Sequence, residues 1–331
     1  MIPQILVVYK DHGGASALRP VVQQLLLGGR VSIAMQETPD PVAMVLTGTS
    51  SGARGPEKQA IAWARERGIP SLSVLDFWVN YRERFNDERG ELAYLPDRIA
   101  VMDAHARDEM IALGFPKKHL VITGQPAFDC LSGKRLFFGD KSLYFARVYY
   151  NFRHGRRTAV FVSQPHSQQP YNYGYNEHTV LPLIIDAARK LDIDLIIRPH
   201  PREDICDLVR YEDMPQIQVR RAGLVHELLM AADLVIGMNT ELLVEACYLG
   251  CDVLSVQPGL VGHDCLPTNR MGVSQPVYHA DNLLPTMRSM LEDAHFCEKR
   301  RELLDDFVIG ETAAPKVVRL VYDMIGVKEY A

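Results

Sequence analysis

Short apolar runs alternate with longer stretches in which apolar positions recur every three or four residues, almost from one end of the chain to the other. The first pattern predicts buried strands and the second amphipathic helices. Their alternation predicts parallel sheets with crossover helices, an α/β protein. Gln4–Lys10 (QILVVYK) reads as the first strand and Asp11-His12-Gly13-Gly14 as a polar glycine turn. A helix follows over Ala17–Leu27, stopped by Gly28-Gly29. Further strands are predicted at Val31–Met35, Val42–Thr47, Ser71–Phe77, Arg98–Met102 and Leu120–Thr123, with helices near Glu57–Arg67 and His105–Leu113. Continuously apolar strands such as Val42–Leu46 suit a sheet covered on both faces.

The rhythm breaks between Phe128 and Arg157, a basic and aromatic stretch with no sheet period. It reads as a connection with a short helix; a solvated basic face, an acceptor-binding surface and a membrane-surface contact are all open for it. A second series then begins. Strands are expected at Thr158–Ser163, Asp194–Arg198, Gln216–Arg220, Leu234–Met238 and Val253–Val256, the last completing the series. Helices are expected at His178–Leu191, Val225–Ala231 and Thr240–Leu249, and helical patterns at Asn282–Glu292, Cys297–Phe307 and Ala314–Ile325. Two halves with the same rhythm imply two Rossmann-like domains facing across a cleft, the first over 1–130, a connection over 131–156, and the second over 157–310.

Composition narrows the classes. The 331 residues are 47% hydrophobic and 23% charged, ample for two cores and incompatible with a disordered chain. Lys and Arg total 36 against 41 Asp and Glu, a net charge of −5, and no basic stripe runs through the sequence, which argues against nucleic acid as a partner. No apolar stretch approaches the ~20 residues of a membrane span. Met1-Ile2-Pro3-Gln4-Ile5 lacks the pattern of a secretory signal. The six cysteines form no CxxC pair and are expected to be buried thiols. A cytoplasmic protein with at most peripheral membrane contact is the expectation.

In open α/β sheets ligands bind beyond the carboxyl ends of strands, so the loops there hold the candidate chemistry. Gly237-Met238-Asn239-Thr240 joins a buried strand to a helix, and a helix N-terminus attracts phosphate. Asn239 and Thr240 add side-chain hydrogen bonds, and Glu245 lies within reach of ribose hydroxyls; the plain alternative is an N-cap and a solvated glutamate. Arg198-Pro199-His200-Pro201-Arg202 presents an imidazole and cations suited to an anion. Ser163-Gln164-Pro165 ends the first strand of the second half. In the first half, Gly13 and Gly14 permit close backbone approach to a ligand, and His12 or Asp11 is placed to take a proton. Phe77 and Trp78 stand beside Asp76 at the cleft edge, where aromatic faces with a polar neighbour suit a sugar ring; a Trp78 buried in the core is the equal alternative. No Walker A, GxGxxG, HExxH or GxSxG motif is present, which argues against an NTPase, a dinucleotide oxidoreductase, a zincin and an α/β-hydrolase.

Taken in order, these features resemble the GT-B superfamily of nucleotide-sugar enzymes, which includes glycosyltransferases and UDP-N-acetylglucosamine 2-epimerases. The resemblance rests on the glycine turn after the first strand, Thr123-Gly124-Gln125-Pro126-Ala127-Phe128-Asp129, and Asn239-Thr240 with Glu245-Ala246 before Gly250. It implies that Asn239 and Thr240 take phosphate, that Glu245 takes the ribose, and that the last helix, within 311–331, crosses back to the first domain. Gln164-Pro165 and His200-Pro201 resemble capsule-type transferases that use CMP-sugars, and polymerases that use CDP-glycerol, where His200 would contact donor phosphate. Lys10-Asp11-His12-Gly13-Gly14 departs from the GTRPE-like loop of the epimerases. The expected activity is therefore an inverting, metal-independent glycosyltransferase needing no cofactor. His12, ahead of Asp11 and Asp76, is the expected base, and His200 and Arg198 the groups that neutralise the leaving phosphate. The acceptor would be a glycan, lipid or protein. The competing expectations are an epimerase or nucleotide-sugar hydrolase, and a non-catalytic nucleotide-sugar-binding protein.

Overall fold

The computed structural model describes residues 2–36, 41–52, 54–169, 172–295, 298–299, 302 and 312–328. The chain divides into two compact units, Met1–Cys130 with Glu311–Ala331, and Leu131–Gly310. Among the described residues no helix is long and apolar enough to cross a membrane.

The first unit is built on β1 (Gln4–Val8), β2 (Ser32–Met35), β3 (Met44–Thr47), β4 (Ser71–Val74), β5 (Arg98–Val101) and β6 (Leu120–Ile122). Its helices are α1 (His12–Gly28), α2 (Pro56–Glu66), α3 (Tyr81–Phe85) and α4 (Ala104–Ala112). The sheet runs β2-β1-β3-β4-β5-β6; β1 pairs in parallel with β2 and β3, Val7 opposite Leu46 on the latter. Ile5, Val7, Met44 and Leu46 are fully buried, as continuous apolar strands under helices on both faces should be.

Helix α1 begins at His12, not at Ala17. Asp11, in extended backbone, accepts from Gly14 N through Oδ1 at 2.9 Å and caps the helix. Two glycines read as a turn because they disfavour helix interiors, but in a capped first turn they are tolerated. The helix ends at Gly29, in the left-handed conformation with φ 62°. The helix Ala313–Ile325 packs on this unit: Val317, Val318, Val321 and Tyr322 share a core with Leu18, Val21 and Leu25. Asp129 receives its first turn, accepting from Ala313 N and Ala314 N at 2.8 and 2.7 Å.

The second unit contains α5 (Asp129–Phe137, whose first two residues belong to the first unit) and α6 (Asp140–Tyr149), and then β7 (Thr158–Val162), α7 (Glu177–Lys190), β8 (Asp194–Arg198), α8 (Cys206–Val209) and β9 (Ile217–Val219). It continues with α9 (Val225–Ala231), β10 (Leu234–Gly237), α10 (Glu241–Tyr248), β11 (Val253–Val256), α11 (Pro267–Arg270), β12 (Gln275–Val277) and α12 (Leu283–Glu292). Its parallel sheet runs β12-β11-β10-β7-β8-β9. Phe161, Ile184, Ile197 and Ile236 lie in its core.

Three expectations change here. The stretch 131–156 is no bare connection but two helices of this unit, held by Arg147 on the Ala231 carbonyl at 3.0 Å and by Tyr150 on the Leu224 carbonyl at 2.9 Å. Its mixture of buried and exposed aromatics hides the helical period. The sheet continues past β11 to β12, an edge strand whose proline, Pro276, is tolerated because one side of an edge needs no donor. Of the cysteines, Cys247 and Cys251 are buried, whereas Cys130 and Cys206 are exposed. The helical pattern at Cys297–Phe307 lies largely outside the described residues, Cys297 included.

Candidate functional site

Each sheet reverses its direction of growth once, between β1 and β3 in the first unit and between β7 and β10 in the second. At such a switch point the loops leave on opposite sides and open a crevice for ligands.

In the second unit, the loops after β7 and β10 are tied across that crevice. His166 Nε2 donates to Asn239 Oδ1 at 2.7 Å, and Asn239 N donates to Gln164 Oε1 at 3.3 Å. With Nε2–H committed to an amide oxygen, a neutral His166 has an acceptor at Nδ1, which is buried and meets no hydrogen-bond partner among the described residues. Burial lowers the imidazole below its ordinary value, against the opposing hydrogen bond to Asn239, and so favours the neutral ring. Thr240 is the N-cap of α10, accepting from Leu242 N at 3.3 Å. The phosphate-suited helix start named in the sequence is therefore a capped N-terminus, flanked by Asn239 and Gln164. Glu245, one turn further on, bonds His226 Nε2 through Oε2 at 2.5 Å.

The loop after β8 is organised by Glu203. This buried carboxylate accepts from Ser163 Oγ and from His200 N, both at 2.6 Å, and so ties the end of β7 to the turn after β8. Burial raises the Glu203 carboxyl and these two donors oppose it. His200 Nδ1 accepts from Arg202 N at 3.1 Å, so the neutral ring carries its proton on Nε2, the atom left to donate to an anion. Burial, and then the Arg202 charge, lower His200 below the usual imidazole range. Arg198 is engaged elsewhere: it donates to the carbonyls of Arg220, Ala222 and Gly223 at 3.1, 2.8 and 3.3 Å and clamps the loop after β9.

In the first unit the crevice is walled by backbone and by Glu57, a buried carboxylate that accepts from Lys10 N at 2.8 Å and from Ser50 Oγ at 2.9 Å. A Cβ on Gly48 would lie 2.8 Å from Gly14 Cα, so the loops after β1 and β3 touch at their glycines. Gly13 leaves no room for a side chain beside Asp76 Oδ2. Asp76 is buried and ion-paired with Arg84, and it accepts from Thr49 Oγ1 at 2.9 Å. Burial pushes its carboxyl up, with Arg84 and then Thr49 opposing. Asp11 is exposed and occupied as the N-cap, while His12, also exposed, stands in the first helical turn. Trp78 is 2% exposed, donates to Asp103 Oδ2 at 2.6 Å and stacks on Phe128, which makes it a core residue.

Sequence reasoning missed His166 and Arg84, and it singled out the loops that carry Thr49 and Glu203 without giving either residue a role. His166 follows Gln164-Pro165 directly, yet nothing local reveals that its loop borders the switch point, which depends on strand order.

No protein-family model matches the chain, and no curated protein matches by sequence. Solved structures do match. The UDP-GlcNAc 2-epimerase of Neisseria meningitidis, bound to UDP-GlcNAc, aligns with a TM-score of 0.68 at 13% identity over 97% of this chain and 100% of its own. The UDP-GlcNAc 2-epimerase of Methanocaldococcus jannaschii gives 0.66 at 10% identity over 97% and 99%. The glycotransferase of kitacinnamycin gives 0.66 at 15% identity over 97% and 98%. The likeness is one of fold. This chain has the GT-B fold, two parallel six-stranded sheets with helices, as the sequence resemblance implied.

Proposed function

We propose that the chain is a nucleotide-sugar enzyme, and specifically a metal-independent inverting glycosyltransferase without a cofactor. The observation that carries the nucleotide-sugar reading is the constellation at the β7–β10 switch point: Gln164, His166 and Asn239 joined beside the capped N-terminus of α10. The fold it shares with structures of UDP-GlcNAc epimerases and a glycotransferase supports the same class.

In this reading donor phosphate lies at the start of α10, against Asn239 and Thr240, where the helix dipole and backbone N–H groups meet its charge. His200 donates from Nε2, and Glu203 holds it there through the backbone. Glu245 takes the ribose hydroxyls. Arg198 contributes by fixing the loop after β9. His12 removes the acceptor hydroxyl proton as the anomeric carbon is displaced from the nucleotide. Asp11 and Asp76 are less suited to that task, because the one caps α1 and the other is paired with Arg84 and Thr49. Gly13 and Gly14 allow the acceptor close to the backbone.

Transfer is favoured over epimerisation by the loop after β1, which departs from the GTRPE-like pattern; the epimerase reading is supported by the fold likeness to two such enzymes. Incubation with UDP-, CDP-, GDP- and CMP-sugars separates the readings. Free nucleotide only in the presence of an acceptor identifies a transferase. Free nucleotide in water alone indicates a hydrolase, and a new sugar epimer with no net nucleotide release indicates an epimerase. Tight binding with no turnover on any of them would leave a binding protein and overturn the proposal.

A further inference from the structure

Behind Glu245 lies a chain of hydrogen bonds that the catalytic reading does not use. Lys134 Nζ of α5 lies 2.8 Å from His226 Nδ1, and His226 Nε2 of α9 lies 2.5 Å from Glu245 Oε2 of α10. Three helices of the second unit therefore contribute one side chain each to a single line. Its proton pattern follows from the atoms. A lysine ammonium has only donors, so it donates to Nδ1; the neutral imidazole then carries its proton on Nε2 and donates to the carboxylate. Glu245 Oε1 has no partner among the described residues, and the carboxylate is a quarter exposed.

We propose that His226 and Lys134 are positioning residues that hold Glu245 in the conformation in which Oε1 accepts ribose hydroxyls, and that this line makes the site selective for ribonucleotides over deoxyribonucleotides. The inference rests on the nucleotide reading above. The physical reason is preorganisation. A glutamate loses several rotatable bonds of freedom when it is fixed, a loss that weakens binding if it falls on the ligand. Here His226 fixes the side chain beforehand. Lys134 in turn fixes the tautomer, because a donor at Nδ1 leaves Nε2–H as the only proton that faces the carboxylate. Loss of His226 would free Glu245, whereas loss of Lys134 would free only the tautomer, so its effect is smaller.

The test uses the full chain and calorimetry with UDP, CDP, GDP and CMP, followed by the 2′-deoxy and 3′-deoxy forms of whichever binds best. The intact protein is expected to prefer the ribonucleotide by about 10-fold or more, the scale of one charged hydrogen bond. Glu245→Ala should abolish the preference. His226→Ala should reduce it to about 3-fold or less, Lys134→Met should reduce it less, and His226→Gln, which restores an N–H toward Glu245, should keep it. Melting temperature on the same variants reports a purely structural staple between α9 and α10. If His226→Ala melts lower yet keeps the full ribose preference that Glu245→Ala has lost, the positioning role is overturned. If Glu245→Ala keeps the preference, or none of the four nucleotides binds the intact protein, it is the underlying nucleotide reading that fails. Should His226→Ala not fold, Lys134→Met and His226→Gln decide: an unchanged preference in the first, or a lost preference in the second, counts against the proposal.

Discussion

The crevice between β1 and β3 and the crevice between β7 and β10 occupy the same place in two sheets of like topology, but they are built by different means. In the first unit backbone meets backbone at Gly14 and Gly48, and the two buried carboxylates beside them both have partners: Asp76 has Arg84 and Thr49, and Glu57 has Lys10 N and Ser50 Oγ. In the second unit the loops are joined by the side chains of Gln164, His166 and Asn239, and a buried ring nitrogen has no partner among the described residues. A contact between glycines cannot adjust without moving the chain. A hydrogen-bonded amide and imidazole can exchange partners for a ligand. The first crevice thus has a wall in which two backbones touch, and the second a wall of polar side chains, which is the difference expected if the donor binds in the second unit.

The largest test of the first wall is Asp76→Ala. It leaves Arg84, 8% exposed, without its ion-pair partner, and removing one member of a buried pair costs about 3–5 kcal/mol. Both tryptophans, Trp63 and Trp78, belong to the first unit, so their fluorescence during chemical denaturation follows that unit. A loss under ~1 kcal/mol, the scale of an exposed pair, would remove Asp76 from the wall.

His12 asks whether the wall also does chemistry. His12→Ala should lower turnover by about 10²–10⁴-fold, the usual contribution of a general base, with donor affinity and melting temperature nearly unchanged. Turnover within a few-fold of the parent would remove the base assignment. A fall in donor affinity would instead place His12 on phosphate.

Gly48→Ala sharpens the contrast. Its new methyl would stand 2.8 Å from Gly14 Cα and 3.3 Å from Tyr9 Cβ, and overpacking of this kind costs about 1–3 kcal/mol. The tryptophan signal should register it, and unchanged stability would mean that the two loops move freely past each other.

The smallest effect concerns the polar site and acid. Because burial lowers His166 in the folded protein, the unfolded chain binds the proton more tightly. The stabilisation is thus present above the ordinary imidazole value of ~6.5 and is lost as pH falls below it, with a slope of at most ~1.4 kcal/mol per pH unit for one proton. His200, lowered in the same direction, adds to the loss. Hydrogen-exchange protection of β7 and β10 amides at pH 7.5 and 5.5 would show it, and His166→Gln should flatten the difference. An equal slope in that variant would mean that His166 is not what titrates.

The sheets themselves were legible in the amino-acid sequence, and the reason is physical. A strand buried on both faces must be apolar at every position, so Ile5–Val8, Met44–Leu46 and Ala159–Val162 announce themselves locally. The helix start at Thr240 was equally visible, since an N-cap is chosen by groups two residues away. These local signals predicted two α/β halves, and the GT-B fold was what the resemblance of their motifs implied. β12 was not visible, because an edge strand containing Pro276 satisfies half of its backbone elsewhere and carries no burial pattern. Nor were the two helices of 129–149, whose exposed Phe137, Tyr144 and Phe145 blur the apolar face.

The sequence by itself thus determined which segments are buried and where helices begin, because those follow from contacts within a few residues. Which loops share a crevice was decided only by strand order in the folded sheet. His166 and Asn239 are 73 residues apart along the chain, as Lys134 and His226 are 92. A hydrogen bond between side chains has no period and leaves no trace in the neighbouring residues. Only tertiary structure could bring such partners within 3 Å and so turn two unremarkable loops into a site.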